Sequence, residues 1–416
     1  MTAQSTTINE PTLQDKITYQ LCEYANLVNS ISKEDSDLEG TLYQKIQQYL
    51  DTNQEVIGGW EIVWGPGVAL FDTDLYAVNA LYMVRSIEDR SRYVIAMAGS
   101  SDALVFDWLV EDSFILQTPW FANSAALHTI GTAIGVKTLI SLKPSGPRPG
   151  AGHTLPEFLS TLGDKAIDLT VTGHSLGGAL SPTLALFLRD TQWLWDNSEK
   201  ARINVLSTAG PSFCNQEFVN YTTQRLQRVQ RYANDLDIVP HMWNPPDIDG
   251  AKALYSKNNQ PAPDDMKVVF DLLEIQASVS GQYAHFAPTS GVFQGTFDNE
   301  INQTQGSTPG ELYLQQVGYQ HIGGYHAFFE IKGVQWPQGV VALPPVGADT
   351  VMGRLLASAG VPLGDGDGKV RKVLANRRPV TVPIDGQPVE LPTDHDSPEA
   401  KKLVDRVTAE FDPTAA

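Results

Sequence analysis

Basic residues are scarce in this chain of 416 residues. It holds 29 Lys and Arg against 48 Asp and Glu, so its formal net charge is −19. This balance disfavours binding to nucleic acid or to an anionic membrane surface, since both attract Lys and Arg. Cysteine is also scarce: Cys22 and Cys214 are the only two, and they give no sign of a disulfide framework or a zinc site.

Long apolar runs are missing as well. No stretch of about 18 uncharged apolar residues is present, so we expect no membrane span. The beginning of the chain, MTAQSTTINEPTLQDK, has neither a basic start nor an apolar run, so no secretory signal is visible. We therefore expect a cytoplasmic protein by default, with leaderless secretion left open. A neutral lipid or a small ester remains compatible with the acidic charge.

Strand-like and helix-like segments alternate along most of the chain. Strands are expected in EIVWGPGVALF, in NALYMVRSIEDRSRYVIAMAGSS with IEDRSR as its connection, before residue 173, in INVLSTAGPS and in LQRVQRYAND. Helices are expected over 11–51, 126–142, 215–224 and 264–279. This alternation predicts a mostly parallel α/β sheet. Beyond residue 336 the pattern weakens into Pro, Gly and Asp, which predicts a principal domain over 1–336 and a loosely structured appendage over 337–416.

One short stretch, Gly173-His174-Ser175-Leu176-Gly177, lies between a strand-like run and a helix-like run. A chain that turns sharply from strand to helix has no room for side chains at the two flanking positions, which favours glycine there. The same turn exposes the central serine hydroxyl at a helix N-terminus. The stretch therefore predicts a nucleophile elbow, with Ser175 as the nucleophile and a kink expected at Pro182 in the following helix.

A serine nucleophile needs a histidine base and a carboxylate that orients the histidine. In an α/β-hydrolase these follow in the order Ser, acid, His. Asp237 follows a predicted strand and is the preferred acid, with Asp235 as its competitor. His321 precedes two glycines that allow a loop to approach the serine, and His326 is the alternative, in an apolar run that resembles the next strand.

The other candidate positions follow from this layout. His241 lies awkwardly close to Asp237 in sequence, His285 and His395 have no supporting pattern, and His174 is interpreted as a packing or supporting residue. The oxyanion hole needs two N–H donors. One is the backbone N–H of Leu176, and the other is expected from Ser100, after the strand that ends in Ala98 and Gly99. An ordinary Gly-Ser turn is the alternative for the latter segment.

Taken together, these pieces resemble the class 3 (fungal-type) lipase family. The similar segments are GHSLGGAL at 173–180, DIVPH at 237–241, YQHIGGY at 319–325, GSS at 99–101 and LHTIG at 127–131. The resemblance implies an α/β-hydrolase fold, with Ser175, Asp237 and His321 as the triad and with Ser100 and Leu176 as the oxyanion hole. The chain departs from the family at Ala98, where an arginine is frequent, and in Gly324-Tyr325-His326 after the histidine.

The apolar segment 103–122 matches the position of the lid in such lipases. Its candidate lid residues are Phe106, Trp108, Leu109, Phe114 and Trp120. The alternative is a buried helix of the core. Residues 264–279 are a candidate second cover, a hypothesis that fails if trimming them leaves the acyl-chain preference unchanged.

These observations predict a serine hydrolase of carboxylic esters, most simply a triacylglycerol lipase. A phospholipase or a short-chain carboxylesterase is the alternative, and a catalytically silent lipase-like binding module is a third hypothesis, of another class. Two calcium-loop-like stretches begin at Asp247 and Asp365, but their twelfth positions are Asn258 and Asn376 instead of glutamate, so no metal and no cofactor are assigned.

Overall fold

The computed structural model describes ten segments of the chain. They are residues 10–32, 34–70, 79–99, 115–163, 165–286, 291–301, 309–331, 381–384, 387–390 and 398–411.

Eleven strands are present in these segments. They are β1 (Trp60–Ala69), β2 (Asn79–Ser86), β3 (Arg92–Met97), β4 (Gln117–Trp120), β5 (Asn123–Thr129), β6 (Asp168–His174), β7 (Arg202–Thr208), β8 (Arg228–Asn234), β9 (Val292–Phe293), β10 (Thr381–Ile384) and β11 (Gln387–Glu390).

The helices of the same segments surround these strands. They are α1 (Leu13–Ala25), α2 (Leu38–Thr52), α3 (Gln54–Ile57), α4 (Ile130–Ser141), α5 (Leu155–Thr161), α6 (Leu176–Asp190), α7 (Gln192–Trp195), α8 (Gln216–Arg225), α9 (Pro245–Ala251), α10 (Asp264–Ser280), α11 (Pro309–Gly318), α12 (Gly324–Phe329) and α13 (Pro398–Phe411). A π-helical turn, Tyr319–Gly323, joins α11 to α12.

Seven strands form the central sheet in the order β1-β2-β3-β6-β7-β8-β9. The first three are antiparallel neighbours, and a short turn over 87–91 joins β2 to β3. From β3 to β9 each neighbouring pair is parallel, and the connections that parallel pairing requires contain helices. The predicted α/β class and mostly parallel sheet are confirmed.

The two largest apolar clusters of the described residues lie against this sheet. The larger contains the inward side chains of α4 and α6 together with Leu169 and Val171 of β6. The smaller is formed by α1, α2 and every second side chain of the strands that they cover, such as Val94 and Ala96 of β3. Alternate residues of one strand therefore face opposite layers, as the period of two along a strand requires. Helices consequently cover both faces of the sheet.

The predicted helix over 126–142 begins later than expected, at Ile130. Residues 123–129 instead form β5, which pairs with β4 in a separate two-stranded sheet. Two polar side chains impose this division. The amide oxygen of Asn215 accepts the N–H of Leu127 at 2.9 Å, and the Thr129 hydroxyl caps the helix by accepting the N–H of Thr132. These contacts come from distant sequence or from the cap, so periodicity alone did not reveal them.

The last described helix is attached to the main body of the protein. Leu403 and Val407 of α13 are buried in the larger apolar cluster, so an apolar face docks this helix as it does any other. That part of the predicted appendage is therefore packed against the core. Most of residues 337–397 lie outside the described residues, and the domain boundary at residue 336 stays a prediction. Within the described segments, every helix is too short or too polar to cross a membrane.

Candidate active site

The turn between β6 and α6 has the geometry of a nucleophile elbow. Ser175, between the last residue of the strand and the first of the helix, has φ 59° and ψ −124°, a backbone conformation that non-glycine residues rarely adopt. A Cβ atom at Gly173 would lie 2.1 Å from the carbonyl oxygen of Gly177. A Cβ atom at Gly177 would lie 3.1 Å from the carbonyl oxygen of Met97 in β3. Both glycines are therefore required by close approach of the backbone.

A third glycine, which was not predicted from the sequence, also has no space for a side chain. A Cβ atom at Gly178 would lie 2.3 Å from the carbonyl oxygen of Thr208, at the end of β7. The signal was present in the sequence as a second consecutive glycine. The helix that follows runs unbroken from Leu176 to Asp190 with Pro182 inside it.

The Ser175 side chain lies at the start of this helix. The residue is 3% exposed, and its Oγ has no hydrogen-bond partner among the described residues. The first N–H groups of an α-helix, including that of Leu176, have no acceptor within the helix. The partial positive charge of the helix N-terminus therefore lies beside the hydroxyl, where it favours a developing negative charge.

A fully buried carboxylate, that of Asp237, lies three residues after β8. Its Oδ2 accepts hydrogen bonds from Nδ1 of His321 at 2.9 Å and from the hydroxyl of Tyr325 at 3.0 Å. Its Oδ1 accepts the backbone N–H of Val239 at 3.0 Å. Because Nδ1 of His321 donates to the carboxylate, the neutral imidazole carries its basic lone pair on Nε2.

The imidazole of His321 lies beside the elbow. Its ring centroid is 4.9 Å from that of His174, the residue that precedes the serine. His321 belongs to the π-helical turn, not to the loop that its glycines suggested. A Cβ atom at Gly324 would lie 2.5 Å from Nδ2 of Asn234, so the glycine permits this turn to press against the end of β8.

His174 is buried and neutral at ordinary pH. Burial lowers the pKa of its imidazole from 6.5 to about 4, although the charges of Glu23 and Asp237 oppose the shift. The Thr208 hydroxyl donates to the carbonyl oxygen of Gly173 and so accepts from Nδ1 of His174, at 3.1 Å. The residue thus packs under the site, in the supporting position expected for it.

The competing acid and histidines are engaged elsewhere. Asp235 accepts the backbone N–H of Gly295 at 2.6 Å. His326 lies in α12, not in a strand, and its Nε2 bonds to Glu23 at 3.1 Å. His285 pairs with Asp247 at 2.8 Å. Of the candidates described, Asp237 and His321 are the two that the fold joins beside the elbow.

The end of β3 also meets the elbow. Met97 is paired with Gly173 in the parallel register of β3 and β6, and a Cβ atom at Gly99 would lie 2.6 Å from the carbonyl oxygen of His174 and 3.1 Å from Cβ of Ser175. Ser100 itself lies outside the described residues. The predicted oxyanion segment therefore starts against the serine, and the role of Ser100 stays a prediction.

The candidate lid falls mostly outside the described residues, which exclude Phe106, Trp108, Leu109 and Phe114. Trp120 is described, and it is not in a lid. It lies in β4 with 1% of its surface exposed, and its indole N–H donates to Asp190 at 2.8 Å. Its apolar ring and its single N–H are both satisfied inside the core, which corrects the prediction for this residue. The remaining lid residues stay a prediction.

The candidate second cover is a helix, as predicted, namely α10. Met266, Phe270, Leu273 and Ala277 of this helix belong to the larger apolar cluster. This face is therefore part of the core, and whether the helix influences acyl-chain preference remains a hypothesis.

Comparisons with known proteins point to lipases. The model of the family described as Lipase (class 3) matches residues 149–246, which include the elbow and Asp237. In this segment the chain is similar to the class 3 lipases. The solved structure of M37 lipase is 27% identical, with a TM-score of 0.67, over 76% of this chain and 92% of that one. The fold is accordingly that of the α/β-hydrolases, and the protein is a lipase-type carboxylic ester hydrolase.

Two fungal structures are more distant. A lipase from Rhizopus microsporus var. chinensis is 16% identical, over 58% of this chain and 72% of that one, with a TM-score of 0.39. The triacylglyceride lipase of Rhizomucor miehei is 19% identical, over 56% of this chain and 77% of that one, also with a TM-score of 0.39. No curated protein matches the chain.

Proposed function

We propose that this lipase-type ester hydrolase acts on triacylglycerols and releases fatty acids through an acyl-enzyme on Ser175. The observation that carries the proposal is the buried Asp237–His321 pair beside a strained serine elbow. The 2.9 Å bond between the carboxylate and Nδ1 leaves Nε2 as the base. A serine whose hydroxyl has no hydrogen-bond partner among the described residues, in an elbow that lies beside such a base, suits acyl transfer.

The reaction has two halves. In the first, His321 Nε2 takes the proton of Ser175 Oγ while that oxygen attacks the ester carbonyl carbon. The resulting oxyanion is stabilised by the N–H of Leu176 and by Ser100, and the imidazolium then gives its proton to the departing alcohol. In the second half, water loses a proton to His321, attacks the acyl carbon and releases the fatty acid as the proton returns to Ser175.

The charge of the chain bears on the choice of lipid. A net charge of −19 repels an anionic phospholipid surface and leaves a neutral acylglycerol surface accessible. The apolar residues Phe106, Trp108, Leu109 and Phe114 supply the side chains that a lid needs in order to face lipid when it opens. Triacylglycerol is therefore the substrate class that we propose.

The test is hydrolysis of p-nitrophenyl esters from short to long acyl chains, with and without emulsified triglyceride, by the wild type and Ser175→Ala. We expect long-chain activity that rises at the interface and falls by roughly 10⁴-fold or more in the variant. Activity confined to short soluble esters would replace the proposal with a carboxylesterase. A preference for phospholipid vesicles would replace it with a phospholipase, and no ester hydrolysis at all would favour a silent binding module.

A further inference from the structure

The first helix of the chain carries buried polar residues toward the elbow. Glu23 is 1% exposed and Asn26, directly after α1, is 7% exposed. Both lie far outside the segment that the family model matches. Buried polar groups of this kind normally have specific hydrogen-bond partners, because an unpaired one costs free energy.

Their partners form one continuous chain of hydrogen bonds. The backbone N–H of Gly99 donates to Oδ1 of Asn26 at 2.8 Å. The amide Nδ2 of Asn26 donates to Oε1 of Glu23 at 3.4 Å. The other carboxylate oxygen of Glu23 bonds to Nε2 of His326 at 3.1 Å. We call these three side chains the Asn26–Glu23–His326 relay.

The two ends of the relay flank the proposed nucleophile. At one end, Gly99 lies so close to the elbow that an added Cβ would be 3.1 Å from Cβ of Ser175, and it immediately precedes Ser100, the proposed oxyanion donor. At the other end, His326 lies five residues after His321, in the helix that continues from its π-helical turn. The relay thus connects the segment that stabilises the oxyanion to the segment that carries the base.

The electrostatics of the relay fit a carboxylate at its centre. Burial by itself raises the pKa of Glu23, but its interactions with neighbouring side chains, above all the hydrogen bond from His326, outweigh burial, so the net pKa is lowered. An ionised Glu23 accepts from both of its neighbours, which matches the donors that face it.

We propose that the Asn26–Glu23–His326 relay positions the oxyanion segment and the His321 turn relative to Ser175. These three are positioning residues, and the inference rests on the proposed function. Catalysis by fixed donors depends on distances of a few tenths of an ångström, because the donors act on charge that develops only in the transition state. Loosening the relay therefore lowers kcat more than it changes KM.

The test exchanges donor and acceptor in the middle of the relay. Asn26→Asp sets two carboxylates against each other, and Glu23→Gln leaves only one oxygen for two donors. In the double variant, the carboxylate at position 26 accepts from Gly99 and from the amide at position 23, whose oxygen accepts from His326. All three bonds and the single negative charge are restored with nearly unchanged shapes. Gln20→Leu, which removes a buried bond to Tyr24 from the same helix, is the matched control.

We expect each single variant to lose about 10- to 100-fold in kcat on a soluble ester, with KM changed less than threefold, and the double variant to return to within threefold of the wild type. The inhibition constant of an alkylboronic acid, which forms a tetrahedral adduct with a serine, should rise in parallel with the loss of kcat/KM. Gln20→Leu should lower the melting temperature and keep kcat within twofold.

Two results would overturn the relay. One is single variants with kcat within twofold of the wild type, and the other is a double variant that is no better than the poorer single variant. If one single variant does not fold, the other and the double variant still decide the matter. Ser175→Ala, assayed alongside, separates the two proposals: wild-type hydrolysis that survives this substitution contradicts the proposed function, whereas hydrolysis that requires Ser175 but ignores the relay contradicts only the relay.

Discussion

The nucleophile elbow and the acid–histidine pair meet in one site, yet they are held by different kinds of contact. The elbow is fixed by backbone atoms within five residues and by the adjacent strands, as the close approach of Gly173 to Gly177 shows. The pair joins Asp237 to His321 across 84 positions of the chain. The bond between Glu23 and His326, which holds the latter segment, spans 303 positions.

The elbow therefore depends on steric exclusion, whereas the acid–histidine pair depends on hydrogen bonding. In the elbow, space alone dictates the residue type, so the requirement is absolute and short-range. In the acid–histidine pair, several residue types would fit the space, and the chemistry of the bonds selects Asp and His. Activity should therefore be lost completely when a methyl group is added to an elbow glycine, whereas substitutions in the acid–histidine pair should lower activity by degrees.

The largest effect is expected from Gly173→Ala. The added Cβ would lie 2.1 Å from a backbone oxygen. This clash can be relieved only if the strand or the helix shifts. We expect no measurable ester hydrolysis and a clearly lower melting temperature, measured on purified protein. Gly250→Ala is the control, because a Cβ there meets nothing within 4 Å. An active Gly173→Ala enzyme would refute the steric argument.

The acid–histidine pair is tested by Asp237→Asn, with Asp235→Asn as its neighbour control. The amide keeps the shape but can present an N–H to His321, which would then carry its proton on the wrong nitrogen. We expect kcat to fall about 10³- to 10⁴-fold with little change in the melting temperature. Asp235, whose carboxylate accepts the N–H of Gly295, should tolerate the change within twofold. A larger loss in Asp235→Asn would reverse the assignment.

The same contrast explains how far the sequence could be interpreted. Strand and helix periodicity around Ser175 predicted the elbow, because the relevant contacts are local. The order of Asp237 and His321 was predicted from their neighbours in sequence, but their hydrogen bond required the fold. Tyr325 lies within the motif around His321, but its hydrogen bond to Asp237 could not be predicted from the spacing of the residues.

The predictions that the structure corrected failed because they depended on contacts between distant parts of the chain. Trp120 lies in an apolar segment that suggested a lid, and its burial depends on Asp190, 70 positions away. Glu23 and Asn26 left only a weak signal, two polar residues at a spacing of three at the buried end of α1. The late start of α4 depends on Asn215, which periodicity within one segment cannot include. Long-range polar contacts were thus the part of the structure that sequence patterns did not reveal.

His174 belongs to both regions, and it gives the smallest expected effect. The unfolded chain binds a proton at this residue below about pH 6.5, whereas in the folded protein burial lowers the pKa to about 4. Between these values the unfolded state binds more protons, so the contribution of His174 to stability is complete above pH 6.5 and is lost as the pH falls toward 4. The slope is about 1.4 kcal/mol per pH unit, or roughly 3 kcal/mol in total.

Urea unfolding at several pH values from 7.5 to 4.5 tests this contribution in the wild type and in His174→Asn, whose amide can still donate to Thr208. We expect the free energy of unfolding of the variant to depend less steeply on pH, and the exposed His153→Asn to follow the wild type. Parallel curves for wild type and His174→Asn would mean that water reaches His174 in the folded state. A charged His174 would then lie 4.9 Å from the ring that becomes an imidazolium in the proposed mechanism, so that mechanism favours a dry, neutral His174 between the elbow and the proposed base.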